Sequence, residues 1–91
     1  MAHFATGDLV ALKPDKLHET VIALDLAIGV SVCLPAGLPL LVMAIKPEGS
    51  GWNSIFVNRN YRPRYRAKVM DPSTGRLYAT TIKSLTKICK E

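Results

Sequence analysis

Residues 52 to 66, read in order as Trp52, Asn53, Ser54, Ile55, Phe56, Val57, Asn58, Arg59, Asn60, Tyr61, Arg62, Pro63, Arg64, Tyr65 and Arg66, concentrate the side chains of this sequence best suited to surface chemistry. Arg59, Arg62, Arg64 and Arg66 set four guanidinium groups within eight residues, and Lys68 follows two positions later. A guanidinium presents forked donors that match phosphate oxygens. The rings of Trp52, Tyr61 and Tyr65 offer faces on which bases stack, and the amides of Asn58 and Asn60 can meet base edges. Trp52, Arg59, Tyr61, Arg62, Arg64, Arg66 and Lys68 are therefore the candidate residues for binding DNA or RNA. A plainer account fits the same residues: the arginines hydrate a β-surface and Tyr65 packs inward. Arginine and tyrosine are also favoured at protein interfaces, so an acidic protein patch is a second kind of partner for this segment.

The remaining reactive side chains do not assemble into a catalytic set. His3 and His18 have no Cys or Asp partner at a spacing that a metal or an activated nucleophile requires. Asp8 and Asp71 sit at turn signals, where a carboxylate serves as an acceptor for nearby backbone N–H groups. Gly49-Ser50-Gly51 lacks the lysine and the helix of a phosphate-cradling loop. Cys33 and Cys89 are too few and too distant for a zinc site or a disulfide framework, and they read as small apolar residues in or near the core. No enzyme activity, cofactor or metal is expected.

Charge separates the chain into unlike halves. Residues 1–45 hold two lysines against four carboxylates, a net −2, whereas residues 46–91 hold ten Lys/Arg against three carboxylates, a net +7. The total of +5 thus resides in the half that carries the arginine segment. Ninety-one residues allow one modest core, so a single domain over 1–91 is expected. An apolar share of 48% with only 7% aromatics makes that core aliphatic. The longest apolar stretch, 21–34, is interrupted by Asp25, Gly29 and Ser31 and is shorter than the ~20 residues a membrane-spanning helix needs. The first residues lack the charged start and apolar run of a signal peptide, which gives the expectation of a cytoplasmic protein without membrane contact.

The elements that must carry the basic segment follow from alternation and punctuation. Leu9 to Leu12 reads as a short strand between a Gly-Asp turn and Pro14. Over 15–28 two readings compete. Asp15 can cap a helix and Leu17, Val21, Leu24 and Ile28 fall at helical spacing; yet Val21, Ile22 and Ile28 are β-branched, and Leu24, Leu26 and Ile28 alternate. A helix or helical turn over 16–27 is the expectation, with a strand as the alternative. Residues 30–34 alternate as a strand, 35–37 form a turn, and 38–45 is a continuous apolar run read as a central strand buried on both faces. A long loop is expected over 46–60, broken by Ile55-Phe56-Val57. Residues 65–82 give the clearest hairpin, because Tyr65/Ala67/Val69 alternate against Arg66/Lys68/Met70 and Asp71 to Gly75 has the proline and glycine of a tight turn. Leu85 and Ile88 suit a helical turn or a short closing strand.

The fold class read from this pattern is mainly β: four to five short strands with one short helix or helical turn, bent into a small barrel because closure removes exposed edges. Gly7-Asp8-Leu9-Val10, Leu34-Pro35-Ala36-Gly37 leading into Leu40-Leu41-Val42, Tyr65-Arg66-Ala67-Lys68-Val69, the turn from Asp71 to Gly75, and Leu85 together resemble the strand order of Src-homology-3-like small barrels. The 13–28 insert departs from that pattern. The resemblance implies a scaffold used by nucleic-acid and ribosome-associated modules and by peptide binders, and it fixes no activity. A proline-peptide groove is disfavoured, since Trp52 stands without the paired tyrosines such grooves use. The competing functional class is a protein-interaction or homo-oligomeric assembly module. Its support is the apolar 21–45 region, which holds more aliphatic surface than a domain this size readily buries alone.

Overall fold

The computed structural model describes residues 4–13, 20–53 and 65–88. Among them, β1 (Leu9–Leu12), β2 (Thr20–Asp25), β3 (Val30–Pro35), β4 (Pro39–Ile45), β5 (Ala67–Met70), β6 (Leu77–Thr80) and β7 (Leu85–Lys87) join in one antiparallel sheet. The sheet order is β3-β2-β6-β5-β4-β1-β7, with β3 and β7 at its edges. The chain is mainly β, as its alternation dictates. The described strands number seven, not four to five, and the sheet is open. No helix among the described residues is long and apolar enough to cross a membrane.

The expected helix over 16–27 is overturned in its described part. Thr20–Asp25 is β2, paired residue for residue with β3 from Thr20↔Pro35 to Asp25↔Val30; residues 16–19 lie outside the described residues. The period of two prevails because it buries Val21 and Ala23 and leaves Ile22 out, whereas the helical face would have needed Ile28, which is 54% exposed in the turn between β2 and β3. Gly29 closes that turn at φ 76°, a left-handed value that glycine adopts without steric cost.

Burial follows cross-strand pairs on one face. Val10 sits opposite Leu40, Val42 opposite Val69, Val69 opposite Tyr78, Leu12 opposite Leu85 and Val21 opposite Leu34, all within one aliphatic cluster. Each fully buried Val or Leu contributes about 1.5–3 kcal/mol relative to exposure. The run expected to be buried on both faces is buried on one only. In β4, Leu40 and Val42 are sealed, while Met43 is exposed where the register shifts between Val42 and Ala44. This bulge places Ala44 opposite Lys68 and Ile45 opposite Ala67. Cys33, expected in or near the core, is instead exposed on the other face of β3; Cys89, His3 and His18 lie outside the described residues.

The hairpin read over 65–82 forms as β5 and β6, paired from Ala67↔Thr80 to Met70↔Leu77. Its turn is organised by Asp71. The Asp71 carbonyl accepts the N–H groups of Thr74 and Gly75, and Asp71 Oδ1 accepts both the N–H and the hydroxyl of Ser73 at 2.9 and 2.7 Å. These donors hold the carboxyl below its ordinary range, the Ser73 hydroxyl being the largest cause. Arg76 then reaches across to the buried Asp25, with Nη2 3.5 Å from Oδ2, while Asp25 Oδ1 accepts the Ala27 N–H. After β6 the chain makes a single 3-10 turn, Ile82–Ser84, where the hairpin strand was expected to run on to Ile82, and of the two readings for the segment of Leu85 and Ile88 the closing strand forms, as β7.

Candidate nucleic-acid interface

Beyond the ends of β4 and β5 the two chains remain paired. The Lys46 N–H donates to the Arg66 carbonyl at 2.8 Å, which continues the register one step past Ile45↔Ala67. Residues 47–51 then leave the ladder in a turn closed by the Ser50 N–H on the Pro47 carbonyl. Gly49 supplies the required left-handed conformation at φ 89°. Trp52 resumes pairing opposite Tyr65, its N–H donating to the Tyr65 carbonyl at 2.8 Å. The excursion expected over 46–60 is therefore anchored at both ends of its described part.

This backbone brings a cationic and aromatic cluster together. The Lys46 ammonium stands 4.4 Å from the centre of the Trp52 ring, a cation–π contact. Arg66 Nε–H donates to the Lys46 carbonyl at 3.1 Å, which ties the arginine stem to the neighbouring strand. Lys68, in β5, lies two residues beyond Arg66, which directly precedes the strand, on the same face by alternation, and its cross-strand neighbours are the small residues Ala44 and Ala79. Opposite Lys68 in alternation, Ala67 and Val69 are fully buried, so the half-buried Arg66 and Lys68 belong to the outer face.

Among the described residues this arrangement sets like charges side by side. Lys46 and Arg66 are cross-strand neighbours of like charge, and such pairs destabilise a sheet. Neither of the two ion pairs formed among the described residues, Arg76 with Asp25 and Lys87 with Asp8, involves Lys46, Arg66 or Lys68. The quadrupole of Trp52 offsets part of the Lys46 charge and leaves the ammonium positive. An anion bridging the cluster relieves the repulsion, which is the property a phosphate-binding surface requires.

Of the seven candidate residues, Trp52, Arg66 and Lys68 fall within the described residues, and the first two meet through Lys46. Arg59, Tyr61, Arg62 and Arg64 lie outside them. Lys46 was not among the residues singled out from the sequence. Its signal was available, since it is the first charged residue after Asp25, but its pairing with Arg66 depends on the bulge in β4. Among the described residues no group of three or more His, Cys, Asp or Glu side chains converges as metal ligands. The sequence matches no protein-family model and no curated protein, and no solved structure matches the chain.

Proposed function

We propose that the protein is a non-catalytic binding module that takes up DNA or RNA through the basic and aromatic surface running from Lys46 and Trp52 to Arg66 and Lys68. The observation that carries this reading is the like-charged pair Lys46–Arg66 beside the Trp52 ring, whose mutual repulsion a bound polyanion would relieve. The arginine content of 59–64 and the net +7 of residues 46–91 support it from the sequence. A Src-homology-3-like scaffold belongs to the same proposal, supported by the small antiparallel sheet of short strands and by the pairing of β1 with both β4 and β7.

Fluorescence anisotropy with labelled single-stranded and duplex oligonucleotides tests the proposal. Binding should weaken steeply with added salt, because each phosphate contact releases condensed counterions. The combined change Lys46→Gln, Arg66→Gln, Lys68→Gln should lower affinity at low salt by at least tenfold, and Arg62→Ala with Arg64→Ala should remove most of what remains. Absence of binding to both oligonucleotides at low salt, with the unaltered protein folded, ends this reading. Binding of an acidic protein probe with no oligonucleotide binding would transfer the surface to the alternative partner class.

A further inference from the structure

We infer that the edge strand β3 is a self-pairing site, through which two copies of this chain join by antiparallel β3–β3 addition about a two-fold axis. An edge strand carries a row of backbone N–H and C=O groups with no ladder partner on its outer side, and proteins that remain monomeric blunt such edges with charge, proline or shortness. Among the described residues β3 and β7 are the two edges of this sheet, and they differ in that respect. β7 has three residues and carries Lys87, with Lys83 just before it. β3 has six, and Val30, Ser31, Val32, Cys33 and Leu34 include no charge and no proline before Pro35.

Charge identifies the occupant. From residue 20 to residue 45 the only charged side chain is Asp25, which is buried and engaged by Arg76. Two copies of net charge +5 repel in most orientations, and β3 is the edge along which they can meet without opposing cations. Among the described residues of 20–45 a polyanion meets no exposed cation and a basic partner no exposed carboxylate. The side chains suit a second copy as well. Beside β3 on the outer face, Ile22 is 58% exposed opposite Cys33, and on the inner face Val32 is half-buried against the core cluster, so an added strand extends an apolar surface on both sides. Strand addition of this kind takes affinity from main-chain hydrogen bonds and specificity from alternate side chains. Six residues of edge cover less than the roughly 1,000 Å² typical of stable interfaces, so the dimer is a weak one that dissociates on dilution.

Sedimentation velocity of the nuclease-treated, reduced protein, from micromolar to submillimolar concentration, tests this. Reduction excludes a Cys33 disulfide and nuclease excludes bridging by nucleic acid, so the outcome is independent of the polynucleotide proposal. The expected result is a reversible monomer–dimer equilibrium. Ser31→Lys with Cys33→Lys, both at exposed positions, should weaken it at least tenfold by setting four added cations near the axis, whereas Thr86→Lys on the β7 edge should leave it unchanged; circular dichroism establishes that each variant is folded. A monomer throughout the range overturns the inference, as does a folded double variant that dimerises like the parent, or a loss with Thr86→Lys as large as with the double variant.

Discussion

Lys46 and Trp52 are six positions apart in sequence, yet the excursion between them returns the indole to within 4.4 Å of the ammonium. At a partly exposed site such a contact contributes about 0.5–1 kcal/mol. It also makes Trp52, the only tryptophan, a reporter of the proposed interface. Lys46→Met keeps the aliphatic stem and removes the charge. It should change the Trp52 emission spectrum in the free protein and reduce the slope of log affinity against log salt by about 0.7 for a single strand. An unchanged slope would show that Lys46 meets no phosphate.

Asp71 gives the protein a defined acid sensitivity. Its carboxylate is held below the ordinary range by the Ser73 hydroxyl first and the Ser73 N–H next. A carboxyl whose folded pKa lies below its unfolded value, about 3.9, stabilises the fold above that value and loses the contribution as pH falls through the folded one. Urea unfolding of the parent should thus become easier across the acid range, and Asp71→Asn should flatten that dependence while lowering stability near neutral pH. Equal acid slopes for the two proteins would rule out a contribution from Asp71.

How far the sequence could be read depended on whether a segment's own residues determine its partner. The β5–β6 hairpin was legible because alternation and the Asp71–Gly75 turn are local. Residues 20–25 were not, since helical and extended periods both fit them and the choice rests on β3 lying alongside. One-sided burial of β4 was hidden for a similar reason: a continuous apolar run does not reveal which face the sheet leaves open. At the candidate site the arginines were legible as composition, while the role of Lys46 required the bulge after Val42.

Asp25 and Arg76 form an unequal pair, and the two truncations should differ. The Asp25 side chain is 4% exposed and also accepts the Ala27 N–H, whereas the Arg76 side chain is 55% exposed. Asp25→Ala leaves that N–H without its partner and removes the acceptor of a half-solvated arginine, a loss of about 1–3 kcal/mol. Arg76→Ala leaves the Asp25 carboxylate its Ala27 N–H bond and opens its Oδ2 to solvent where the half-exposed arginine stood, so the smaller loss, about 1 kcal/mol, is expected. Denaturant midpoints of the two variants check the order. Its reversal would mean that the pair is held chiefly from the arginine side.

Thr80 presents the opposite case, a polar atom whose removal should help. It faces the core from β6 opposite Ala67, is fully buried, and its Oγ1 has no hydrogen-bond partner among the described residues. A hydroxyl taken from water without a replacement bond costs about 1–3 kcal/mol by the measure of protein mutations. Its β-branched shape nonetheless fills the space beside the aliphatic cluster, and the backbone pairing with Ala67 does not depend on the hydroxyl. Thr80→Val keeps the branching and strand preference, replaces the hydroxyl with a methyl, and should raise the unfolding free energy by about 1 kcal/mol. The urea midpoint should rise with no change in the denaturant slope, because the surface exposed on unfolding is nearly the same. A lower midpoint would instead show that the hydroxyl is satisfied in solution.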